Sequence, residues 1–391
     1  MSQWQRVWYA SQASFDDRFF GQTLSHVSFE NQTIRMVVHP HAYGTLWRLK
    51  FSNLYGTYPL TLDNVTLASQ RNNQLIEDQT IVDVTFEGMS KVVIAVGAEV
   101  YSDNIMFHAD PNADIAISLF TPIYTNASTW HFSPARSTYI AEGEKTKAND
   151  AALFDTTIHS YYWLTALDVM MEADPALFIA MGDSITEGYA SSLNTNNRWP
   201  DLLQQRFLQA NPNQQLTILN AGLSGNMILR DARHIEFGAS LGLANAGERM
   251  LDRLERDGLS QPGLNGIIFH GGINDIFGDI TAEQLIEGIK ELADRVNRKQ
   301  QQINMAIATI TPFGGSAYFT KEREQVRQKV NQWIRANTNF DLVIDLDQTL
   351  TDPQNPSQLL HTYDYGDKAH PNDEGNRAIA NAIPLSFLNK N

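Results

Sequence analysis

Ala176-Leu177-Phe178-Ile179-Ala180-Met181-Gly182-Asp183-Ser184-Ile185-Thr186-Glu187-Gly188 decides how the second half of this chain reads. The apolar run Ala176–Ala180 leads straight into Gly-Asp-Ser. Near-continuous hydrophobicity suits a strand covered on both faces, as in a parallel sheet. A serine at the strand-to-helix turn that follows sits beside backbone N–H groups with no helical partner, and these favour developing negative charge. Similar runs recur downstream: Leu216-Thr217-Ile218-Leu219, Gly266-Ile267-Ile268-Phe269, Met305–Ile310 and Leu342-Val343-Ile344. Helical patterns alternate with them. Thr281-Ala282-Glu283-Gln284 is a capping-box sequence ahead of Leu285, Ile286, Ile289 and Leu292. Val326, Val330, Trp333 and Ile334 form an apolar stripe at helical spacing. The spacing predicts a three-layer α/β domain with a parallel sheet.

Upstream the character is different. Thr33–Val38, Leu46–Phe51, Leu60–Leu62, Val82–Phe86, Lys91–Val96 and Ile115–Phe120 are short strand-like runs, with turn signals such as Asn53-Leu54-Tyr55-Gly56 between them. Strands at close spacing without a helical period predict an antiparallel β-sandwich, jelly-roll-like in kind. The polar stretch Glu142–Asp150 reads equally as a linker or as a long surface loop. Tyr161–Leu164 and Leu167–Met170 still read as strands, so the boundary is placed near Glu172-Ala173-Asp174-Pro175. The expected domains are 1–172 and 173–391.

Composition narrows the function classes. The 391 residues carry 29 Lys+Arg against 44 Asp+Glu, a formal net charge of −15. Such an acidic chain repels phosphate backbones, which argues against a dedicated nucleic-acid binder. With no cysteine, disulfides, thiolate metal sites and cysteine nucleophiles are out. No apolar stretch approaches the roughly 20 residues that cross a bilayer, and Met1–Ala10 lacks the pattern of a signal peptide. A cytoplasmic protein without a membrane partner is expected.

Ligands of open α/β sheets gather at the carboxyl ends of the strands. There the sequence places Gly182-Asp183-Ser184, then Asn220-Ala221-Gly222-Leu223-Ser224-Gly225-Asn226, then His270-Gly271-Gly272-Ile273-Asn274-Asp275, and near the C-terminus Asp367-Lys368-Ala369-His370-Pro371. Each block is weak alone; their order at successive strand ends is rare by chance. Together they resemble the SGNH, or GDSL-type, hydrolase superfamily. The longer runs around Arg198-Trp199-Pro200-Asp201, Asn220–Asn226 and Gly272–Ile276 resemble its arylesterase/acylhydrolase group, typified by a rumen-bacterial xylan-associated esterase. That group also carries an N-terminal β domain, with runs like Phe51-Ser52-Asn53 and Ser102-Asp103 here.

The resemblance implies Ser184 as nucleophile, His370 as base and Asp367 as its orienting carboxylate. It implies an oxyanion hole from the Ser184 and Gly225 N–H groups and the Asn274 amide, and no metal or organic cofactor. The expected activity is carboxylic ester hydrolysis, releasing short acyl groups, acetyl above all, from soluble O-acylated carbohydrates. The alternatives are a lipase or thioesterase, an acyltransferase, and a non-catalytic carbohydrate-binding protein. The first domain could shape the cleft, bind substrate or support a homo-oligomer.

Other residues have plainer readings. Asp183 suits a turn or cap, and Asp275 a buried hydrogen-bonding role. Trp199 and Pro200 suit a helix start. His39-Pro40-His41 reads as solvated histidines rather than metal ligands, and His270 as a packing histidine or cleft residue. Asp231-Ala232-Arg233-His234 repeats the Asp-x-x-His spacing, but only the pair Asp367 and His370 precedes a proline and a terminal helix.

Overall fold

The computed structural model describes residues 2–14, 28–172, 175–231, 247–299 and 302–389. The chain divides into two compact units, Met1–Asp174 and Pro175–Asn391.

In the first unit, strands β1 (Gln3–Tyr9), β2 (Gln32–Val38), β3 (Leu46–Ser52), β4 (Leu60–Asn72), β5 (Ile115–Thr121), β6 (Thr138–Glu142) and β7 (Leu164–Met171) form two antiparallel sheets. One runs β1-β7-β3, and the other has the neighbours β6-β2-β5-β4. Strand β3 shows why they stack. Trp47, Leu49 and Phe51 are buried while Arg48 and Lys50 alternate with them, so one face must be covered. Those three residues share a single core with Ile34, Met36, Leu67 and Ile117 of the other sheet.

Several boundaries differ from the sequence reading. Strand β4 runs on from Leu62 to Asn72, through a bulge opposite Ser118 and Phe120 where Asn64 takes φ 44°. Val82–Phe86 shortens to Val82–Asp83, and Lys91–Val96 to Val92–Ile94. Strands β1 and β6 were not anticipated. The 142–150 stretch is a loop of this unit, not a linker. Buried Arg35 donates to the carbonyls of Thr146 and Ala148 at 3.0 and 2.9 Å and pins it down.

The second unit is an α/β domain around five parallel strands: β8 (Ala176–Gly182), β9 (Leu216–Gly222), β10 (Leu264–His270), β11 (Asn304–Ala308) and β12 (Leu342–Ile344). Their spatial order is β9-β8-β10-β11-β12. Numbered within this sheet, that is 2-1-3-4-5, with the switch point beside β8. Every residue of β8 is buried, as its continuous hydrophobicity predicts. Helix α1 (Ser184–Glu187) follows β8 directly, and α2 (Trp199–Ala210) begins with buried Trp199 and carries Pro200 in its first turn. After β10 come α3 (Ile273–Phe277) and α4 (Ala282–Asn297). The α4 capping box is present: Thr281 accepts from the Gln284 N–H while the Gln284 side chain accepts from the Thr281 N–H. Helices α5 (Lys321–Ala336) and α6 (Asp373–Ala382) complete the elements that matter below. Among the described residues no helix is long and apolar enough to cross a membrane.

Candidate active site

The sheet delivers three loops to one edge. The first is the turn from β8 into α1. Asp183 caps α1, its carboxylate accepting from the Ile185 N–H at 3.1 Å. The turn is tight because residue 182 is glycine. A Cβ there would lie 2.3 Å from the His270 carbonyl oxygen of the neighbouring strand. Ser184 is thereby placed at the first position of a helix, 7% exposed. Its backbone N–H has no hydrogen-bond partner among the described residues.

The second loop follows β9. Gly225 takes φ 76°, a left-handed conformation that favours glycine, and its N–H is likewise without a partner among the described residues. The third follows β10, where Gly272 leads into α3 and Asn274. The Asn274 Nδ2 donates to the Asn226 carbonyl at 3.1 Å. An amide nitrogen carries two hydrogens, so this bond fixes the side chain and leaves one donor.

The fourth segment arrives from far along the chain. The loop before α6 is held by Asp364, whose carboxylate accepts from the Gly366 and Lys368 N–H groups at 2.9 and 3.0 Å and pairs with Lys368 Nζ at 2.6 Å. The Tyr365 N–H closes the loop onto the His370 carbonyl at 3.0 Å. Within it, Asp367 Oδ1 accepts from the N–H groups of Ala369 and His370 at 3.0 and 2.9 Å.

These segments meet. Ser184 Oγ lies 2.9 Å from His370 Nε2, and His370 Nδ1 lies 2.6 Å from Asp367 Oδ2. Partial burial opposes the charge of Asp367. The hydrogen bond and attraction of His370, with the two backbone donors, outweigh it and hold the carboxyl at about 2. An ionised Asp367 fixes the proton on Nδ1, which leaves Nε2 to accept from the serine hydroxyl. The Tyr189 ring packs against the imidazole with centroids 4.7 Å apart and so restrains its orientation.

The model of the GDSL-like lipase/acylhydrolase family matches residues 180–378, just over half of the 391 residues. The chain belongs to this family. No curated protein matches it. Among solved structures, the chain is similar to a putative lipolytic protein of the G-D-S-L family from Desulfitobacterium hafniense (20% identity, TM-score 0.40, covering 53% of this chain and 97% of that one). It is also similar to an α/β hydrolase from the metagenome of Lake Arreo (21%, 0.38, 55% and 97%). A third is a catalytic mutant of an acetylxylan esterase from Geobacillus stearothermophilus (18%, 0.40, 56% and 98%).

In this GDSL-like acylhydrolase the remaining candidates take structural places. Asp275 is fully buried and accepts from the N–H groups of Ile228 and Leu229 at 2.8 and 3.0 Å, anchoring the loop that follows Gly225. Burial pushes its carboxyl up to about 7, against those two donors and with the help of nearby Asp183; burial likewise pushes Asp183 up to about 6. His270 is buried, and burial lowers it to about 4, so its imidazole is neutral. His39 Nδ1 donates to the Asp114 carboxylate at 2.7 Å, and no metal-holding cluster exists among the described residues. His234 lies outside the described residues.

Raised carboxyls have a consequence for stability. Between pH ~4 and the folded values, the unfolded chain loses these protons while the native state keeps them, so stability falls as pH rises through that window. His270, lowered by burial to about 4, acts the other way between that value and its ordinary 6.5, and buried Glu187 acts with the aspartates, so a comparison of wild type with a variant isolates one group. The thermal midpoint of Asp275→Asn relative to wild type should rise from pH ~4 to pH ~7, the range over which the folded wild type keeps the Asp275 proton that its unfolded chain has lost.

Sequence reasoning missed three residues that hold this site. Buried Glu187 accepts from the Ser224 hydroxyl beside Gly225. Asp364 shapes the Asp367–His370 loop. Arg253, wholly buried, donates to the carbonyls that end β8 and β9. An arginine with an aspartate four residues on ordinarily marks an exposed helical pair, so nothing in the local sequence signals its burial.

Proposed function

We propose that this GDSL-like acylhydrolase is a serine carboxylic ester hydrolase that releases short acyl groups, acetyl above all, from O-acylated carbohydrates. The observation that carries the reaction is the 2.9 Å approach of Ser184 Oγ to a His370 already hydrogen-bonded to Asp367.

His370 Nε2 takes the hydroxyl proton as Oγ bonds to the ester carbonyl carbon. The carbonyl π electrons move onto oxygen, and the resulting oxyanion is met by the N–H groups of Ser184 and Gly225 and the remaining Asn274 donor. Each such donor is worth about 3–4 kcal/mol of the barrier. Collapse breaks the bond to the alcohol oxygen, which leaves with the proton held on His370. A water then gives a proton to Nε2 as its oxygen attacks the acyl carbon, and collapse breaks the bond to Ser184 Oγ, which takes that proton from His370 as the carboxylic acid is released. Asp367 stays ionised throughout and stabilises the imidazolium.

The acetyl and carbohydrate parts of the proposal rest on the sequence runs Arg198–Asp201, Asn220–Asn226 and Gly272–Ile276 and their resemblance to the xylan-associated esterase group. A cytoplasmic location belongs to the same proposal, and fractionation of host cells tests it. For the acyl preference, p-nitrophenyl esters of two to twelve carbons are compared by kcat/KM. Acetate should lead, with rates falling steeply beyond four carbons. A maximum at eight carbons or more would make this a lipase or thioesterase instead. Release of acetate from acetylated xylo-oligosaccharides tests the sugar.

A further inference from the structure

We propose that Arg253 is a positioning residue that locks the nucleophile turn and the oxyanion loop into one fixed geometry, and so sets the rate of acyl transfer to Ser184. This rests on the esterase reading above.

Three facts about its guanidinium lead there. First, it is planar and wholly buried, with 0% exposure. Second, its bonds go to separate chain segments. Nη2 donates to the Gly182 carbonyl at 2.8 Å, two residues before Ser184. Nη1 donates to the Ala221 carbonyl at 2.8 Å, at the end of β9. Nε donates to Asn226 Oδ1 at 2.9 Å, one residue after Gly225. Third, the Asn226 carbonyl is the acceptor that holds the Asn274 amide. One rigid fork therefore spans the supports of all three oxyanion donors.

The sheet alone does not provide this. Gly225 and Asn226 lie beyond β9, and Asn274 beyond β10, where strand pairing has ended. The donors must nonetheless converge on a single oxygen, and a misplacement of about 1 Å costs about 100-fold in rate. A guanidinium suits the task because its donors keep fixed directions, whereas an ammonium is a point charge on a flexible stem. The buried cation is balanced by Asp257, whose Oδ2 accepts from Nη1 at 3.1 Å and whose Oδ1 accepts from Arg256 at 2.6 Å. Charge compensation for Asp257 is the competing explanation of Arg253, and it makes a different forecast. A lysine would meet the need for charge but could not reproduce the fork.

The test measures kcat and KM on p-nitrophenyl acetate for wild type, Arg253→Lys and Asn226→Ala. Rates are expressed per active site titrated with a serine-reactive phosphonate, so that loss of folded protein does not count as loss of rate. Arg253→Lys should lower kcat about 100-fold while KM stays within about threefold, the signature of an interaction made in the transition state. Asn226→Ala removes the Nε acceptor, along with the bond from Asn226 Nδ2 to the Glu248 carbonyl, and should lower kcat about tenfold, by part of the same geometric loss. It decides the matter should the lysine variant fail to fold. Wild-type kcat per site in a folded Arg253→Lys, or in Asn226→Ala where only that variant folds, overturns this proposal and leaves the esterase reading standing. A wild type without ester turnover overturns both.

Discussion

Ser184→Ala should leave a folded protein whose kcat on acetyl esters is lower by about 10⁶-fold. The side chain is small and its hydroxyl bonds His370, so its removal creates little cavity and the thermal midpoint should barely move. The backbone N–H at 184 is untouched, as are Gly225 and Asn274. What remains is therefore transition-state binding without a nucleophile, a residue of catalysis about 10³–10⁴ above water. Stopped-flow mixing with p-nitrophenyl acetate checks both aspects, since wild type should show a burst of one p-nitrophenolate per site and the variant none. A variant that kept even one hundredth of the wild-type rate would mean that another group forms the acyl-enzyme.

His370→Ala should cost a similar amount, between about 10⁴- and 10⁶-fold in kcat, because nucleophile and base act as a unit and their losses do not add. The double variant with Ser184→Ala should accordingly be no worse than either single one. His234→Ala is the informative companion. Asp231 and His234 repeat the spacing of Asp367 and His370 in sequence, yet the imidazole at 2.9 Å from Ser184 Oγ is that of His370. Turnover by His234→Ala should stay within a few-fold of wild type, because the imidazole that bonds the Ser184 hydroxyl is already that of His370. The reverse pattern, an inert His234→Ala and an active His370→Ala, would reassign the base.

How much of this was readable in advance depended on whether a feature is local. The parallel strands were legible because residues covered on both faces leave unbroken apolar runs, as in Ala176–Ala180. The α4 start was legible because Thr281 and Gln284 satisfy each other within four residues. Ser184, Asp367 and His370 stood out as blocks in the sequence, and the structure brings their side chains within hydrogen-bond distance of one another. By contrast, strand β1 carries buried Gln5 and Arg6 and so shows no clean alternation. Arg6 is accommodated by Asp168, 162 residues away, at 2.9 Å, and no window of sequence contains that pair. Arg253 escaped for the same reason, since its partners at 182, 221 and 226 become neighbours only once the sheet has formed. The 142–150 loop could not be told from a linker because its anchor, Arg35, sits over a hundred residues upstream.

The 186 residues between the Ser184 hydroxyl and the His370 imidazole also bear on how the protein is born. A ribosome adding about 5–20 residues per second needs on the order of 10–40 s to travel from one to the other. Throughout that interval the nascent chain holds Ser184 without the imidazole that bonds its hydroxyl. On the proposed function, acyl transfer at Ser184 has to wait until the loop carrying Asp367 and His370 has been made and folded.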